Sequence, residues 1–365
     1  MPAWDEGQAD RGLGALSAPA GPDGMDALRF SDAELGRRHA LVRALMDRAD
    51  LDALVLYGHP AAHAEILYLA DYRVTREAML LFPRAGAPAL FVQYQNHVPH
   101  AAREARVKDV RWGGPDTAAR VAGELMLRGL AGAHLGVAGP IPLRAHRALH
   151  GALPAAALPD VTPMLRDLRL VKSEEELAHL RRGAELSDRA IAALEREARP
   201  GITEHDLVAI IEGAYLGVGG QTHIHYLATT PMRHPERCAP AQQPSSRVLE
   251  RGDVLLTEIS AQYRGYPGQI LRPFAIGEPP TANYQRLYDV ALATFERVAG
   301  VVRAGATAEA VLDAAEGIHA AGYTICDDLV HGFGGGYLPP IVRTRQTGGT
   351  SMPDFTFTEN MTIVI

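Results

Sequence analysis

The segment from Gly252 to Ile276 constrains the fold of this chain more strongly than any other stretch of the sequence. Its pattern predicts a strand at Val254–Ile259, a turn at Arg264-Gly265 and a returning strand at Gln269–Ile276. Two strands joined by so short a turn pair in the antiparallel sense, because a parallel pair needs a long crossover connection. The segment therefore predicts a β-hairpin.

Helices with clear start signals flank this hairpin. Ser173 and Glu176 form the capping box of a long amphipathic helix, and Thr203 with Asp206 repeats that signal for a second helix. Further helices are predicted at residues 282–303 and 307–321. Since hairpins rather than strand–helix–strand crossovers join the strands, we predict an α+β domain over residues 161–365.

The sequence before residue 161 has a different organisation. A helix capped by Ser31 is followed by short apolar strand patterns at residues 53–57, 79–82 and 89–92, of which the last two read as a hairpin. Helices that alternate with strands predict a smaller α/β domain at residues 29–160. Residues 1–28 are rich in Gly, Ala, Pro and Asp without periodicity, which predicts a flexible leader.

Composition narrows the class of protein. A chain of 365 residues with 47% hydrophobic residues is large enough for two domains with apolar cores. The formal net charge of −7 argues against a nucleic-acid-binding protein, which usually carries a basic surface. No apolar run is long enough to span a membrane, and the sequence begins without a secretion signal pattern. With only two cysteines as well, we expect a cytoplasmic protein.

Four segments resemble, in order and spacing, the pita-bread superfamily of creatinase, aminopeptidase P, prolidase and methionine aminopeptidase. These segments are Leu168–Ser173, Gly252–Phe274, Val330–Gly334 and Glu359–Ile365. The resemblance implies a pita-bread catalytic domain preceded by a smaller α/β creatinase-type N-terminal domain. It also implies a homodimer that acts on a C–N bond in a small molecule or a short peptide.

The superfamily's metallopeptidases hold two divalent ions with two Asp, one His and two Glu residues. In this sequence Glu258 and Gln269 stand at the two Asp positions, His331 stands at the His position, and Ile365 directly precedes the position of a Glu ligand. A neutral amide is a poor substitute for a carboxylate that bridges hard cations. We therefore expect no cofactor, and a divalent metal is the disfavoured alternative. A further histidine of the superfamily has its counterpart at Ala241.

The hairpin and the glycine-rich segment supply the candidate catalytic residues. We predict that Glu258 moves the proton of a water molecule and that His331 protonates the leaving nitrogen or binds the oxyanion. Gln269 and Arg272 are predicted to orient the substrate. The structural alternatives are an ion pair between Glu258 and Arg272, and a hydrogen-bonded core role for His331.

Three more histidines are candidates for substrate binding. His223 and His225 lie in a strand-like stretch, where alternate residues share one face, and His234 lies in the following loop. The alternative for the His223–His225 pair is a purely structural role.

Three functions remain open from the sequence. The first is a creatinase-like or Xaa-Pro peptidase-like hydrolase that acts without a dinuclear metal centre. The second is a catalytically inactive binding module, as in histone chaperones whose peptidase-like domain binds peptide. The third is a metal-dependent Xaa-Pro aminopeptidase or dipeptidase.

Overall fold

The computed structural model of the protein describes residues 28–237, 243–348 and 354–365. The leader predicted at residues 1–28 lies outside the described part, except for Leu28. Two units follow each other along the chain, and each is built around its own β-sheet. No described helix combines the length and the hydropathy that crossing a lipid bilayer requires.

The N-terminal unit is a five-stranded mixed sheet with the strand order β4-β3-β2-β1-β5. Its strands are β1 (Ala53–Gly58), β2 (Ala78–Pro83), β3 (Ala89–Val92), β4 (Asp109–Trp112) and β5 (Leu135–Ala138). Its helices are α1 (Asp32–Arg48), α2 (Ala64–Ala70), α3 (Val98–Glu104), α4 (Thr117–Leu127), α5 (Leu143–Ala152) and α6 (Thr162–Asp167). Strands β2 and β3 pair in the antiparallel sense, which confirms the predicted hairpin.

Both faces of this sheet are covered, which explains why its strands read as continuous apolar runs. Leu54 and Leu56 of β1 point into one hydrophobic core, whereas Val55 and Tyr57 point into a second core on the other face. All six residues of β1 are buried.

The C-terminal unit contains two three-stranded antiparallel sheets, β6-β7-β8 and β10-β9-β11. Its strands are β6 (Gln221–Pro231), β7 (Asp253–Tyr263), β8 (Tyr266–Ala275), β9 (Val330–Phe333), β10 (Tyr337–Val342) and β11 (Ile363–Val364). Its helices are α7 (Glu174–Glu197), α8 (Glu204–Gly213), α9 (Ala282–Val301), α10 (Ala308–Ala315) and α11 (Gly317–Ala320). The helix predicted at 307–321 is divided at Glu316 into α10 and α11.

The start signals of α7 and α8 form as predicted. The Ser173 hydroxyl accepts a hydrogen bond from the Glu176 backbone N–H, and the Glu176 carboxylate accepts one from the Ser173 N–H. Thr203 and Asp206 make the same reciprocal pair at the start of α8. These caps satisfy backbone donors that have no partner inside the helix.

The register of β7 decides which residues face the helices and which face away from them. Leu255, Ile259 and Ala261 enter the core that β7 shares with α7 and α8. Because successive side chains on a strand alternate in direction, Glu258 and Ser260 point to the opposite face. We call this opposite side of the β6-β7-β8 sheet the inner face.

Helix α7 approaches the hairpin so closely that a side chain would not fit between them. A Cβ atom on Gly183 would lie 2.4 Å from the Tyr266 carbonyl oxygen. Nearby, the Ser187 hydroxyl donates to the Gly268 carbonyl at 2.7 Å and accepts from the Ala261 N–H at 2.9 Å. These contacts fix the hairpin against the helix.

We expect Gly183→Ala to lower the free energy of unfolding by about 1–3 kcal/mol, because the added methyl group forces α7 and β8 apart. Chemical denaturation measures this change. The matched control is Gly123→Ala in α4, where an added Cβ meets no atom within 4 Å. There we expect a gain of about 0.5–1 kcal/mol from helix propensity. Equal effects of the two substitutions would contradict the close packing.

A buried charge cluster joins the two units. The Arg38 side chain, which is 0% exposed, donates to Glu34 Oε1 at 2.7 Å and to the Tyr266 hydroxyl at 3.2 Å. The Arg38 Nη2 atom also lies 3.4 Å from Glu176 Oε1, and the guanidinium stacks over the Phe30 ring at 3.8 Å. Residues of α1, α7 and β8 therefore share one desolvated network.

Candidate active site

Glu258 and Gln269 meet on the inner face of the hairpin. Glu258 pairs with Leu271 in the register of β7 and β8, and Ser260 pairs with Gln269, so that Glu258 and Gln269 are diagonal neighbours. The Gln269 Nε2 atom donates a hydrogen bond to Glu258 Oε1 at 2.6 Å. The hairpin thus brings together the acid and the amide that are eleven residues apart in the sequence.

The surroundings of Glu258 favour its protonated form. Partial burial raises the pKa of the Glu258 carboxyl, and the negative charge of Asp327 raises it further. The hydrogen bond from Gln269 opposes both effects on this pKa. A half-buried carboxylate with a raised pKa is a stronger base than a solvated one, which suits it to proton transfer.

Two polar atoms at this site, one of them in the pair itself, lack hydrogen-bond partners within the described part of the chain. They are Gln269 Oε1 and Ser260 Oγ, and both are buried. Because these residues are directly paired across β7 and β8, their side chains point to the same inner face. Buried polar groups generally need partners, so both atoms retain unused hydrogen-bonding capacity.

Ser260 and Asp327 were not among the site residues predicted from the sequence. The period of two along β7 would have placed Ser260 on the same face as Glu258. No local pattern links Asp327 to Glu258, because it belongs to the connection that precedes β9.

His331 lies within β9 of the second sheet. Its ring lies 4.3 Å from the Tyr337 ring and 5.7 Å from the Phe333 ring, and its Nδ1 atom is 3.0 Å from the Gly332 carbonyl oxygen. Among the described residues, His331 makes no hydrogen bond, ion pair or ring contact with Glu258 or Gln269. The role predicted for His331 stays a prediction.

The structure separates His223 from His225, contrary to the expectation that they share a face. A β-bulge leaves His223 unpaired between Thr222 and Ile224, and its ring packs edge-on against Phe333 at 6.3 Å. The His225 Nε2 atom instead lies 2.7 Å from the Tyr215 hydroxyl. An extra residue in one strand shifts the alternation of its side chains. His223 therefore faces the second sheet, whereas His225 joins a polar cluster beside α8.

Arg272 does not join the acid and the amide. It pairs with Thr257 in the register, so that its side chain points away from the inner face, and its Nη1 atom donates to the Leu271 carbonyl at 2.7 Å. The alternative ion pair between Glu258 and Arg272 is therefore wrong, because the two side chains lie on opposite faces.

His234 is the last candidate for substrate binding, and it follows β6 in the chain. This residue is exposed. Ala241 lies outside the described residues.

The comparisons with known proteins identify the class of protein. The model of Metallopeptidase family M24 matches residues 178–365, and that of the Creatinase/Prolidase N-terminal domain matches residues 38–171. The chain belongs to Metallopeptidase family M24. This result confirms the predicted superfamily and its α+β pita-bread domain with a creatinase-type N-terminal domain. It also confirms the prediction of a hydrolase acting on C–N bonds, since the family and the relatives are peptidases.

Particular relatives define the similarity further. A probable dipeptidase PepE from Mycobacterium tuberculosis is 31% identical over 313 residues, which cover 80% of this chain and 77% of that protein. A Xaa-Pro dipeptidase from Pyrococcus furiosus is 26% identical over 149 residues, which cover 41% of this chain and 42% of that protein.

Solved structures have the same fold. The X-Pro aminopeptidase from Thermotoga maritima aligns with a TM-score of 0.75 and 21% identity over 89% of this chain and 88% of its own. The dipeptidase PepE from Mycobacterium ulcerans aligns with a TM-score of 0.72 and 25% identity over 92% of this chain and 88% of its own.

The family membership corrects the expectation that the protein needs no cofactor. That expectation was based on the neutral Gln269, but the matching family is one of metallopeptidases, so the family implies a metal cofactor. Nevertheless, no three His, Cys, Asp or Glu side chains of the described residues form a group that could hold a metal ion. The donors found together at the expected position are the Glu258 carboxylate and the Gln269 amide. The described side chains therefore do not fit a complete dinuclear site.

The charge of this pair is open to a direct test. We expect Gln269→Glu to tighten the binding of Mn²⁺ by about tenfold or more, because a second carboxylate beside Glu258 adds an anionic oxygen donor. Isothermal titration calorimetry with MnCl₂ measures the change. Gln262→Glu is the matched control, since Gln262 pairs with Pro267 nearer the turn and away from Glu258. If both variants bound Mn²⁺ as the wild type does, the site would lie elsewhere.

Proposed function

We propose that the protein hydrolyses a C–N bond of short peptides on the inner face of the β6-β7-β8 sheet. The observation that carries this proposal is the half-buried Glu258–Gln269 pair, which lies on a face not covered by α7 and α8. The names of two relatives, a dipeptidase and a Xaa-Pro dipeptidase, support short peptides as the substrate class.

The proposed role of Glu258 is proton transfer. Its carboxylate takes a proton from the attacking water while the water oxygen bonds to the peptide carbonyl carbon. The C–N bond then breaks, the nitrogen leaves with a proton as an amine, and the carbonyl carbon becomes a carboxylic acid. His331 remains the predicted donor of the proton to the leaving nitrogen.

The proposed role of Gln269 and Ser260 is to orient the peptide. Gln269 Oε1 can accept a hydrogen bond from an N–H group of the peptide, and the Ser260 hydroxyl can either donate or accept one. Both atoms lie beside the proton-transfer group, so a peptide bound to them has its reacting bond near Glu258.

A panel of dipeptides tests this function. Ala-Pro, Ala-Leu and Gly-Gly are incubated with the full chain, once with added Mn²⁺ and once with a chelator, and free amino acids are measured by mass spectrometry. Binding is measured separately by calorimetry. Product release supports the proposal. Binding of dipeptides without any product would overturn it in favour of a binding module, an alternative that the neutral amide at Gln269 favours.

We further propose that the protein is a cytoplasmic homodimer. The resemblance to creatinase-type members supports the dimer, and the low number of cysteines supports the compartment. Light scattering of the purified protein gives twice the chain mass if the dimer forms and the chain mass if it does not.

A further inference from the structure

A second polar site lies where the two units meet. A cavity of about 360 Å³ separates the end of α2 and the loop after it from the turn that joins β7 and β8. Its lining includes Asp71, Arg73, Gln262 and Arg264. Sites that bind small molecules commonly have about 300–1,000 Å³, so the volume suits a ligand of a few heavy atoms.

Asp71 is a buried carboxylate with unmet hydrogen-bonding capacity. It is 1% exposed, and within the described ranges neither of its carboxylate oxygens receives a hydrogen bond. The nearest ion-pair partner is Arg264, whose Nη2 atom lies 3.8 Å from Asp71 Oδ2, beyond hydrogen-bonding distance. Burial also raises the pKa of the Asp71 carboxyl, as expected for an acid that lacks donors.

Arg264 faces Asp71 from an unfavourable backbone position. It is the first residue of the two-residue turn Arg264-Gly265 and has φ +49°, in the left-handed region where such turns favour Asn, Asp or Gly. Its side chain is only 11% exposed, and its buried Nε atom has no acceptor among the described residues. Non-glycine residues held in this conformation cluster at functional sites.

The charged side chains that line the cavity do not fully neutralise one another. Arg73 supplies a second guanidinium, which donates to Gln221 Oε1 at 2.5 Å and is subject to repulsion from Arg264. Another carboxylate of the lining, Glu104, already pairs with Arg29 at 2.6 Å. With Glu104 engaged by Arg29, the two guanidinium groups of Arg73 and Arg264 are left with Asp71, whose carboxylate itself lacks donors. A ligand that carries both a cation and an anion would complement both deficits.

We propose that this cavity binds a small zwitterion, either a free α-amino acid or a dipeptide. Its ammonium group donates to Asp71, and its carboxylate pairs with Arg264 and Arg73. Gln262 lies on the same side of β7 as Glu258 but four residues further on, roughly 14 Å at about 3.4 Å per residue. The cavity is therefore separate from the Glu258–Gln269 pair. The proposal rests on the proposed function in one respect only: hydrolysis of peptides supplies the ligand, either as the substrate or as a product.

Calorimetry on the full chain tests the chemistry of the ligand. We expect L-alanine to bind, whereas N-acetyl-L-alanine and L-alaninamide, each lacking one charge, bind about tenfold more weakly or worse. The dipeptide Ala-Ala, measured with the Glu258→Gln variant to prevent turnover, distinguishes the sources. Tighter binding of Ala-Ala than of L-alanine, weakened when Asp71→Asn is added, assigns the cavity to a peptide, and the reverse order of affinities assigns it to a free amino acid. Inorganic phosphate that binds as tightly as L-alanine would overturn the proposal, as would no binding of L-alanine or Ala-Ala.

Two substitutions test the assignment of the charges. Asp71→Asn and Arg264→Asn each place at a left-handed position a residue that tolerates it. We expect the first to remove the preference for L-alanine over N-acetyl-L-alanine, and the second to reduce the preference over L-alaninamide, since Arg73 remains. Glu258→Gln should bind L-alanine as the wild type does. If Glu258→Gln lost this binding and Asp71→Asn kept it, the zwitterion would bind at the Glu258–Gln269 pair. The cavity proposal would then fail while the proposed function would stand. Even if a variant does not fold, the series of ligands on the wild-type chain still shows whether the protein prefers a zwitterion, and the variants that fold locate the site.

Discussion

Replacing Glu258 with glutamine should lower kcat/KM for hydrolysis of a short peptide by a factor of about 10² to 10⁴. The amide has nearly the same shape as the carboxylate but cannot accept the proton of water. It can still form a hydrogen bond with Gln269, which now lies 2.6 Å from Glu258 Oε1. The Tm of the Glu258→Gln variant should therefore be close to that of the wild type. Initial rates and differential scanning calorimetry measure the two effects.

The control for this substitution is Glu212→Gln. Glu212 also lies near a histidine, but its partners are Thr222 and His225, on the side of the sheet beside α8. We expect hydrolysis by this variant to match that of the wild type. Full activity of a normally folded Glu258→Gln variant would contradict the role given to Glu258.

Replacing Arg38 with methionine should lower the free energy of unfolding by about 3–5 kcal/mol. The guanidinium is 0% exposed and interacts with Glu34 and Glu176, both of them buried. Removing the cation leaves two carboxylates close together without their buried counter-charge, and methionine restores only part of the packing on Phe30. Denaturation by guanidinium chloride gives the difference.

Arg37→Met is the matched control for this change. Arg37 pairs with the same two carboxylates but is 39% exposed, so that water screens its interactions. We expect a loss below about 1 kcal/mol there. Comparable losses from Arg37→Met and Arg38→Met would show that burial of the network does not determine its contribution to the free energy of unfolding.

Local signals in the sequence were sufficient for much of the fold. Ser173 with Glu176 and Thr203 with Asp206 predicted two helix starts, because capping depends on residues only three apart. The turn at Arg264-Gly265 fixed the register of the hairpin, and with it the meeting of Glu258 and Gln269.

Other features depend on contacts that no short pattern contains. The bulge at His223 follows from pairing with β7, and one unpaired residue was enough to separate His223 from His225. Arg272 is an odd number of residues from Gln269, so the alternation of β8 alone could have placed it on the other face. The pairing of Asp71 with Arg264 joins residues of different units, which the sequence does not relate.

The cofactor expectation failed for a different reason. It was based on the charges at Glu258 and Gln269, where the neutral amide in place of a carboxylate suggested that no metal is required. Membership of a metallopeptidase family outweighs that inference, because family membership depends on the whole domain rather than on two positions. The described donor set nevertheless stays incomplete, which makes the Mn²⁺ titration of Gln269→Glu informative.

A crystal structure of the Glu258→Gln variant with an uncleaved dipeptide is the most direct measurement of where the chemistry occurs. We expect the dipeptide on the inner face, with one of its N–H groups within about 3.2 Å of Gln269 Oε1 and its C–N bond beside residue 258. A dipeptide bound away from that face, with Gln269 and Ser260 making no contact to it, would contradict the assignment of the active site.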